Sequence, residues 1–210
     1  MENKSLKDTY NKIAQSWHKD HQADNWWQDG TDQFVSRIKE GGKVLDVGCG
    51  GGTKSKYLVD KGCKVTGIDF SESFIDIAQK EVPQAKFLVM DVNNIDKLEE
   101  SFDGIFMQAV LLHIPKKDIE DILRKAVSTL NPNGLVYIAV KEKIEGGVDE
   151  EVKVDDDYGY EYERFFSYFT IDELRKYFKD VGLEMIYEDM KPPSRTARKS
   201  NWVQVIGRKK

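Results

Sequence analysis

Apolar positions keep a helical rhythm through roughly the first 40 residues, with Tyr10, Ile13, Ala14 and Trp17 falling on one face. Asp24, Asn25, Trp26 and Trp27 interrupt that rhythm before a second predicted helix at about 31–39. After Gly41 and Gly42 the pattern changes to short apolar runs at 43–48, 63–70, 85–92, 102–110 and 134–141. Each run is rich in Val, Ile, Leu or Phe and too short for a helix, which predicts strands. Helices are predicted between them, among them 116–130 and 71–81, the latter capped by Ser71 with Phe74, Ile75 and Ala78 on its apolar face. Continuously apolar strands alternating with helices predict a parallel sheet covered on both faces. Asn131, Pro132, Asn133 and Gly134 read as a turn that launches the fifth strand. The alternation stops in an acidic, tyrosine-rich stretch and resumes with a helix at 170–181 and strands at 183–189 and 201–207. Thr170 and Glu173 have the spacing of a capping box at the start of that helix. The pattern predicts one α/β domain at 41–210, an N-terminal helical extension over 1–40 and an insertion at 142–169.

Composition narrows the class. A chain of 210 residues with 40% hydrophobic and 33% charged residues suits one sizeable domain with a packed core and a solvated surface. Its apolar runs fall short of the roughly 18–20 residues that a membrane span needs. The N-terminal MENKSLKDTYNKIAQ lacks the apolar stretch of a signal peptide. Cys49 and Cys63 have no metal-ligand spacing, so a reducing, cytoplasmic setting without disulfide or zinc is expected. The net charge of −5 argues against a dedicated nucleic-acid binder. Positions 145–163 hold nine acidic residues and one lysine, whereas 191–210 hold seven basic residues and no acidic one. Two solvated loops that attract each other would explain this, and so would a charged rim on a substrate opening.

The stretch KVLDVGCGGGTKSKYL at 43–58 reads as strand, glycine turn and helix. In the dinucleotide pattern G-x-G-x-x-G, Gly48 and Gly50 fit, but the third glycine position is Thr53. No Gly-Lys-Ser/Thr follows, so the phosphate loop fails as well. What remains is a tight turn of glycines that lets the backbone approach a ligand, with Asp46 two residues ahead of it. That charge suits a cationic ligand better than a phosphate.

These residues carry a resemblance. DVGCGGG resembles the first motif, D-x-G-x-G-x-G, of the class I (Rossmann-like) S-adenosylmethionine-dependent methyltransferases. Further stations follow in order. Asp69 ends the second predicted strand, and Met90, Asp91 and Val92 end the third. FDGIFMQAVLLHIP is similar to the family's fourth-strand segment, and LNPNGLVYIA to its turn and fifth strand. YNKIAQSWHKD resembles the lead-in of small-molecule members, with Trp17 in place of a tyrosine, and RFFSYFT resembles the segment before the penultimate helix.

The resemblance implies a doubly wound, mostly parallel seven-stranded sheet with helices on both faces and an antiparallel last strand. It implies S-adenosyl-L-methionine as cofactor, S-adenosyl-L-homocysteine as product, and no metal. Asp46 and the backbone of Gly48, Cys49 and Gly50 would hold the methionine end. Asp69 would hold the ribose, Phe70 would flank the adenine, and Asp91 with Val92 would cover the adenine edge. Gln108 and Ala109 would form the floor near the sulfonium. Candidates for the substrate pocket are Tyr10, Trp17, His113, Tyr162 and Arg164. The N-terminal helix either packs on the sheet or covers the cofactor. Tyr158, Tyr160 and Tyr162 alternate as in an extended piece, which either fills space under a loop or lines an aromatic pocket, with Arg164 available for a substrate anion.

His113 either fills space beside the cofactor or acts as a general base. Methyl transfer from a sulfonium is an in-line displacement of an activated reagent, so positioning and desolvation supply much of the rate. There is no Pro-Cys dipeptide for a cytosine-C5 enzyme, and QAVLLHIP lacks the Pro-Pro-aromatic motif of adenine-N6 enzymes. The leading expectation is a methyltransferase acting on a small-molecule acceptor, monomeric or homodimeric, without nucleic-acid or membrane partners. One alternative is a tRNA- or RNA-modifying enzyme that uses Arg195, Arg198, Lys199 and Trp202. Another is a cofactor-binding, non-catalytic partner protein. A nicotinamide-dependent oxidoreductase is opposed by Thr53 and Asp46.

Overall fold

A computed structural model describes residues 3–191 and 201–210; the basic positions Arg195, Arg198 and Lys199 lie outside the described residues. Strands β1 (Lys43–Val47), β2 (Lys64–Asp69), β3 (Lys86–Val89), β4 (Phe102–Gln108), β5 (Leu130–Lys141), β8 (Leu183–Lys191) and β9 (Trp202–Lys209) form one sheet in the order β3-β2-β1-β4-β5-β9-β8. The first five pair in parallel, and β9 runs antiparallel to both β5 and β8. Period-two alternation in β1 gives each face its own core. Leu45 and Val47 pack with Ile119 and Leu123 of α5 (Lys116–Ser128) and with Leu174 and Phe178 of α6 (Ile171–Asp180). Val44 packs on the other face with Phe34 of α2 (Gln28–Val35) and Leu58 of α3 (Thr53–Asp60). The chain leaves β1 toward β2 on one side and returns to β4 on the other. The crevice between β1 and β4, at their C-terminal ends, is where sheets of this kind bind ligands.

Several boundaries differ from the sequence expectation. Helix α2 starts at Gln28 and gives way to tight turns after Val35, instead of occupying 31–39. Gly30 lies so close to Gln204 that a Cβ there would sit 2.0 Å from Oε1, so packing outweighs glycine's poor helix propensity. The expected turn at 131–134 is a bulge inside β5: Leu130 pairs with Phe102 and Leu135 with Gly104. Strand β3 stops at Val89, and Asp91 is instead the N-cap of a 3-10 turn at Val92–Lys97. Residues 158–161 form a turn and not an extended piece. It closes a two-stranded hairpin of β6 (Glu150–Asp155) and β7 (Tyr162–Ser167). The tyrosine rings still meet, with centroids 6.1 Å apart for Tyr158–Tyr162 and 5.7 Å for Tyr160–Tyr162.

Helix α1 (Asn3–His21) buries the expected face, but not on the sheet. Tyr10, Ile13 and Ala14 pack with Phe74 and Ile77 of α4 (Glu72–Glu81) and with Tyr162 of the hairpin. Asn11 fixes the docking. Its Oδ1 accepts from Ser71 Oγ at 2.7 Å and from the Ser73 amide at 3.2 Å, while its Nδ2 donates to Glu72 at 2.9 Å. Ser71 Oγ meanwhile caps α4 by accepting from the Phe74 amide. Asn11→Ala is expected to cost about 1 kcal/mol through the lost bond to Ser71. Hydrogen exchange should then accelerate in α1 while protection of the sheet stays unchanged; uniform acceleration would contradict this docking role.

Candidate functional site

A cavity of about 510 Å³ opens at the C-terminal ends of β1, β2 and β4, roofed by α1 and by the hairpin turn at Asp157 and Tyr158. It is the size of an ordinary small-ligand site. The glycine turn makes its floor. Gly48 has φ +65°, and a Cβ there would sit 2.6 Å from Val110; at Gly51 it would sit 2.2 Å from His18 Nδ1. Only glycine lets the backbone turn this way between those neighbours.

Two carboxylates face the turn from adjacent strands. Asp46 is 2% exposed, and its Oδ2 accepts from Ser55 Oγ at 2.6 Å. Burial pushes its pKa up to about 7, opposed by the Ser55 bond and the charge of Lys54 and assisted by the charge of Asp69. Asp69 is 7% exposed and takes the Gly50 amide on Oδ2 at 3.0 Å and the Ser71 amide on Oδ1 at 2.9 Å. Burial raises it to about 6 against those amide bonds. Desolvation dominates in both, so each anion gains from any cation placed beside it. Cys49 lies between them; burial, then the charges of Asp69 and Asp46, push its thiol well above its usual range and keep it protonated.

The other expected cofactor residues, Phe70, Asp91, Val92, Gln108 and Ala109, also line the cavity. Asp91 Oδ1 accepts from both the backbone and the side-chain nitrogen of Asn93, at 2.8 and 2.7 Å. Gln108 is held by Tyr137, whose hydroxyl donates to Oε1 at 3.1 Å; its Nε2 has no partner among the described residues. Ala109 has φ +61°, a left-handed conformation that costs energy outside glycine and recurs at ligand sites.

Of the expected substrate residues, Tyr10, Trp17 and His113 line the cavity, while Tyr162 and Arg164 do not. Arg164 is buried beside the cavity, and Nε and Nη2 both donate to Asp155 Oδ2, at 2.9 and 2.7 Å. It stacks over Trp17 with 5.0 Å between guanidinium and ring centroid, so it braces the wall. Tyr162 is buried in the α1–α4 cluster and donates to Asp157.

His113 Nδ1 lies 2.8 Å from the Phe165 carbonyl and Nε2 lies 2.9 Å from Tyr10 Oη. Burial, with Arg164 and Lys141 nearby, lowers its pKa to about 3 against the bond to Phe165. It is therefore neutral at ordinary pH.

Sequence reasoning missed Lys54, whose half-buried ammonium lines the cavity next to Asp46 and is lowered first by desolvation. Its position in the first turn after the glycines was the available signal. The stacking of Trp26 on Trp202, 4.3 Å apart on the cavity wall, was also missed, since no local pattern joins residues so far apart in sequence. Among the described residues no group of His, Cys, Asp and Glu side chains is placed to hold a metal ion.

A family model described as a methyltransferase domain matches residues 19–188. A ubiquinone biosynthesis O-methyltransferase of Coxiella burnetii is 34% identical over 104 residues, covering 48% of this chain and 44% of the relative. The chain thus spans about half the length of the curated relatives it matches. A SAM-dependent methyltransferase from Methanosarcina mazei superposes with TM-score 0.72 at 25% identity, over 83% of this chain and 95% of that one. The 1,6-didemethyltoxoflavin-N1-methyltransferase of Burkholderia thailandensis, solved with 1,6-didemethyltoxoflavin and S-adenosylhomocysteine, superposes with TM-score 0.77 at 18% identity. That match covers 99% of this chain and 88% of the other.

The buried carboxylates make stability depend on pH. Both ionise at higher pH when folded, about 7 and 6 against the ordinary 3.8. The folded chain then holds extra protons, so their contribution is full below the unfolded value and is lost as pH rises through 6 and 7. Asp46→Asn should be the more stable chain without ligand at both pH values, by a margin that widens by roughly 1–3 kcal/mol between pH 5 and pH 8. Denaturant titrations at both pH values read the difference; a gap that does not change with pH would refute the assignment.

Proposed function

The chain belongs to the methyltransferase-domain family, and from that premise we propose that it is an S-adenosylmethionine-dependent methyltransferase that transfers the methyl group directly, in line, to a small-molecule acceptor. The observation that carries this reading is the pair of desolvated carboxylates, Asp46 and Asp69, set around a glycine turn with Lys54 beside them. A phosphate placed there would push two desolvated carboxyl groups further from ionising, whereas a sulfonium nucleoside brings two cationic centres and one carboxylate.

The residues fit the group in kind. Asp46 and the backbone of Gly48, Cys49 and Gly50 would take the methionine ammonium end, with Lys54 and the start of α3 for its carboxylate. Each Asp69 oxygen takes one amide and keeps acceptor capacity for the ribose hydroxyls. Phe70 would flank the adenine, Asp91 and Val92 would border its edge, and Gln108 and Ala109 would lie under the methyl group. When bound, the cofactor supplies an already activated methyl; the chain's own task is to orient the acceptor and exclude water. The α1 helix and the hairpin would serve as that cover.

A roofed cavity supports a small acceptor. The name of the Coxiella relative points to oxygen as one possible methylated atom. No described helix is long and apolar enough to cross a membrane; a cytoplasmic enzyme is the reading we adopt.

Calorimetric titration with S-adenosylhomocysteine, beside NADH and ATP, tests the cofactor. Binding in the micromolar range is expected for the homocysteine nucleoside alone, with Asp69→Ala weakening it by ~1–3 kcal/mol. NADH binding without S-adenosylhomocysteine binding would overturn the reading.

A further inference from the structure

His113 bridges three elements. It sits in the 3-10 turn Leu111–His113 after β4, with Nδ1 against the Phe165 carbonyl of β7 and Nε2 against Tyr10 of α1. A carbonyl only accepts, so Nδ1 carries the hydrogen and Nε2 carries the lone pair. Tyr10 must then donate its hydroxyl hydrogen to Nε2. With that hydrogen committed, the Tyr10 oxygen can meet a further polar group only as an acceptor. Both side chains line the cavity, as do Gln108 and Ala109. The Tyr10 ring is wedged among Trp17, Phe70 and Phe74, each with its centroid 6.0 Å away. The His113 ring lies against Phe166 at 4.9 Å. Neither ring can swing away without opening this packing.

Resting on the methyltransferase reading above, we propose that Tyr10 and His113 form a proton relay for the methyl acceptor, and that the acceptor is a hydroxyl or amino compound whose X–H hydrogen is taken by Tyr10 Oη. As the X–CH₃ bond forms, the S–CH₃ bond breaks and its electron pair stays on sulfur. Tyr10 receives the hydrogen of X–H and passes its own to His113 Nε2. His113 becomes imidazolium with its Nδ1–H still on the Phe165 carbonyl. The proton returns through Tyr10 to water when the product leaves.

The charged groups facing His113 are Arg164 from β7 and Lys141 from β5, with Arg164 itself held by Asp155. Burial first, and then these two charges, keep the imidazole neutral before the reaction, with the Nε2 lone pair on Tyr10. The event exchanges a sulfonium charge for an imidazolium charge within one cavity, so no net positive charge is added there. Tyr10 is the catalytic group because it touches the acceptor; His113 acts through it as a positioning and proton-holding residue.

The test uses the full chain labelled with ¹⁵N-histidine and saturated with S-adenosylhomocysteine. Small phenols and arylamines serve as probes, each beside its fully O- or N-methylated counterpart. At least one X–H probe should bind at least about tenfold more tightly than its methylated form and move the His113 Nε2 resonance. Tyr10→Phe keeps the ring; it should leave S-adenosylhomocysteine affinity unchanged and remove both effects. With a probe that is turned over, the same variant should lower kcat by on the order of 10²-fold, well beyond the about tenfold rise in KM that the lost binding preference brings. The relay is overturned if no X–H probe moves His113, if probes and methylated forms bind alike, or if Tyr10→Phe keeps the discrimination. Failure of S-adenosylhomocysteine to bind at all would instead refute the cofactor reading, and the relay with it.

Discussion

Asp46 and Asp69 are carboxyl groups buried at the ends of adjacent parallel strands, and the site is organised around keeping them there. A buried carboxylate is tolerated only when its oxygens are hydrogen-bonded. Ser55 from the first turn of α3 serves Asp46, and the amides of Gly50 and Ser71 serve Asp69. These bonds tie the glycine turn to the end of β2 and set where α3 and α4 begin. They do not cancel the desolvation, since both groups still ionise well above their ordinary range. What is left over is an electrostatic demand for a cation, and it is directed into the cavity.

The cover over that cavity is built from contacts between elements distant in sequence. Asn11 pins α1 to the start of α4, and Arg164 pairs with Asp155 across the hairpin and leans on Trp17 of α1. His113 links α1, the turn after β4 and the hairpin through two hydrogen bonds. A ligand beneath this cover would meet fixed polar atoms rather than mobile ones, which is the preorganisation that group transfer requires.

The sheet and the strand-end residues were legible in the sequence because each is encoded locally. An apolar run marks a strand, and the residue that follows it faces the crevice. The resemblance to a family motif, laid over those strand ends, singled out Asp46, Gly48, Asp69 and Gln108, and the cavity includes all of them. Asp91 was located in the cavity wall but on the wrong element, because the apolar run continues through Met90 after strand pairing has stopped at Val89. The pairing of Arg164 with Asp155 was not legible, because the partner is chosen by hairpin register, which the sequence leaves open. The Tyr10–His113 bond and the Trp26–Trp202 stack were invisible for the same reason: both depend on how α1 and its following loop fold back over the sheet. Lys54 shows a different limit. Its identity was plain, but only burial next to Asp46 makes it a site residue.

The claim on which the rest depends is that the buried carboxylates await a cation, and proton release on binding reads it most directly. Calorimetric titration with S-adenosylmethionine near pH 6.5, repeated in buffers of different ionisation enthalpy, measures that release. If the account is right, binding expels roughly one proton, because a cation beside Asp46 and Asp69 returns them to the ionised state. The release should largely disappear in Asp46→Asn. Binding with no proton exchange, or with uptake, would mean that these carboxylates do not face the ligand's positive charge.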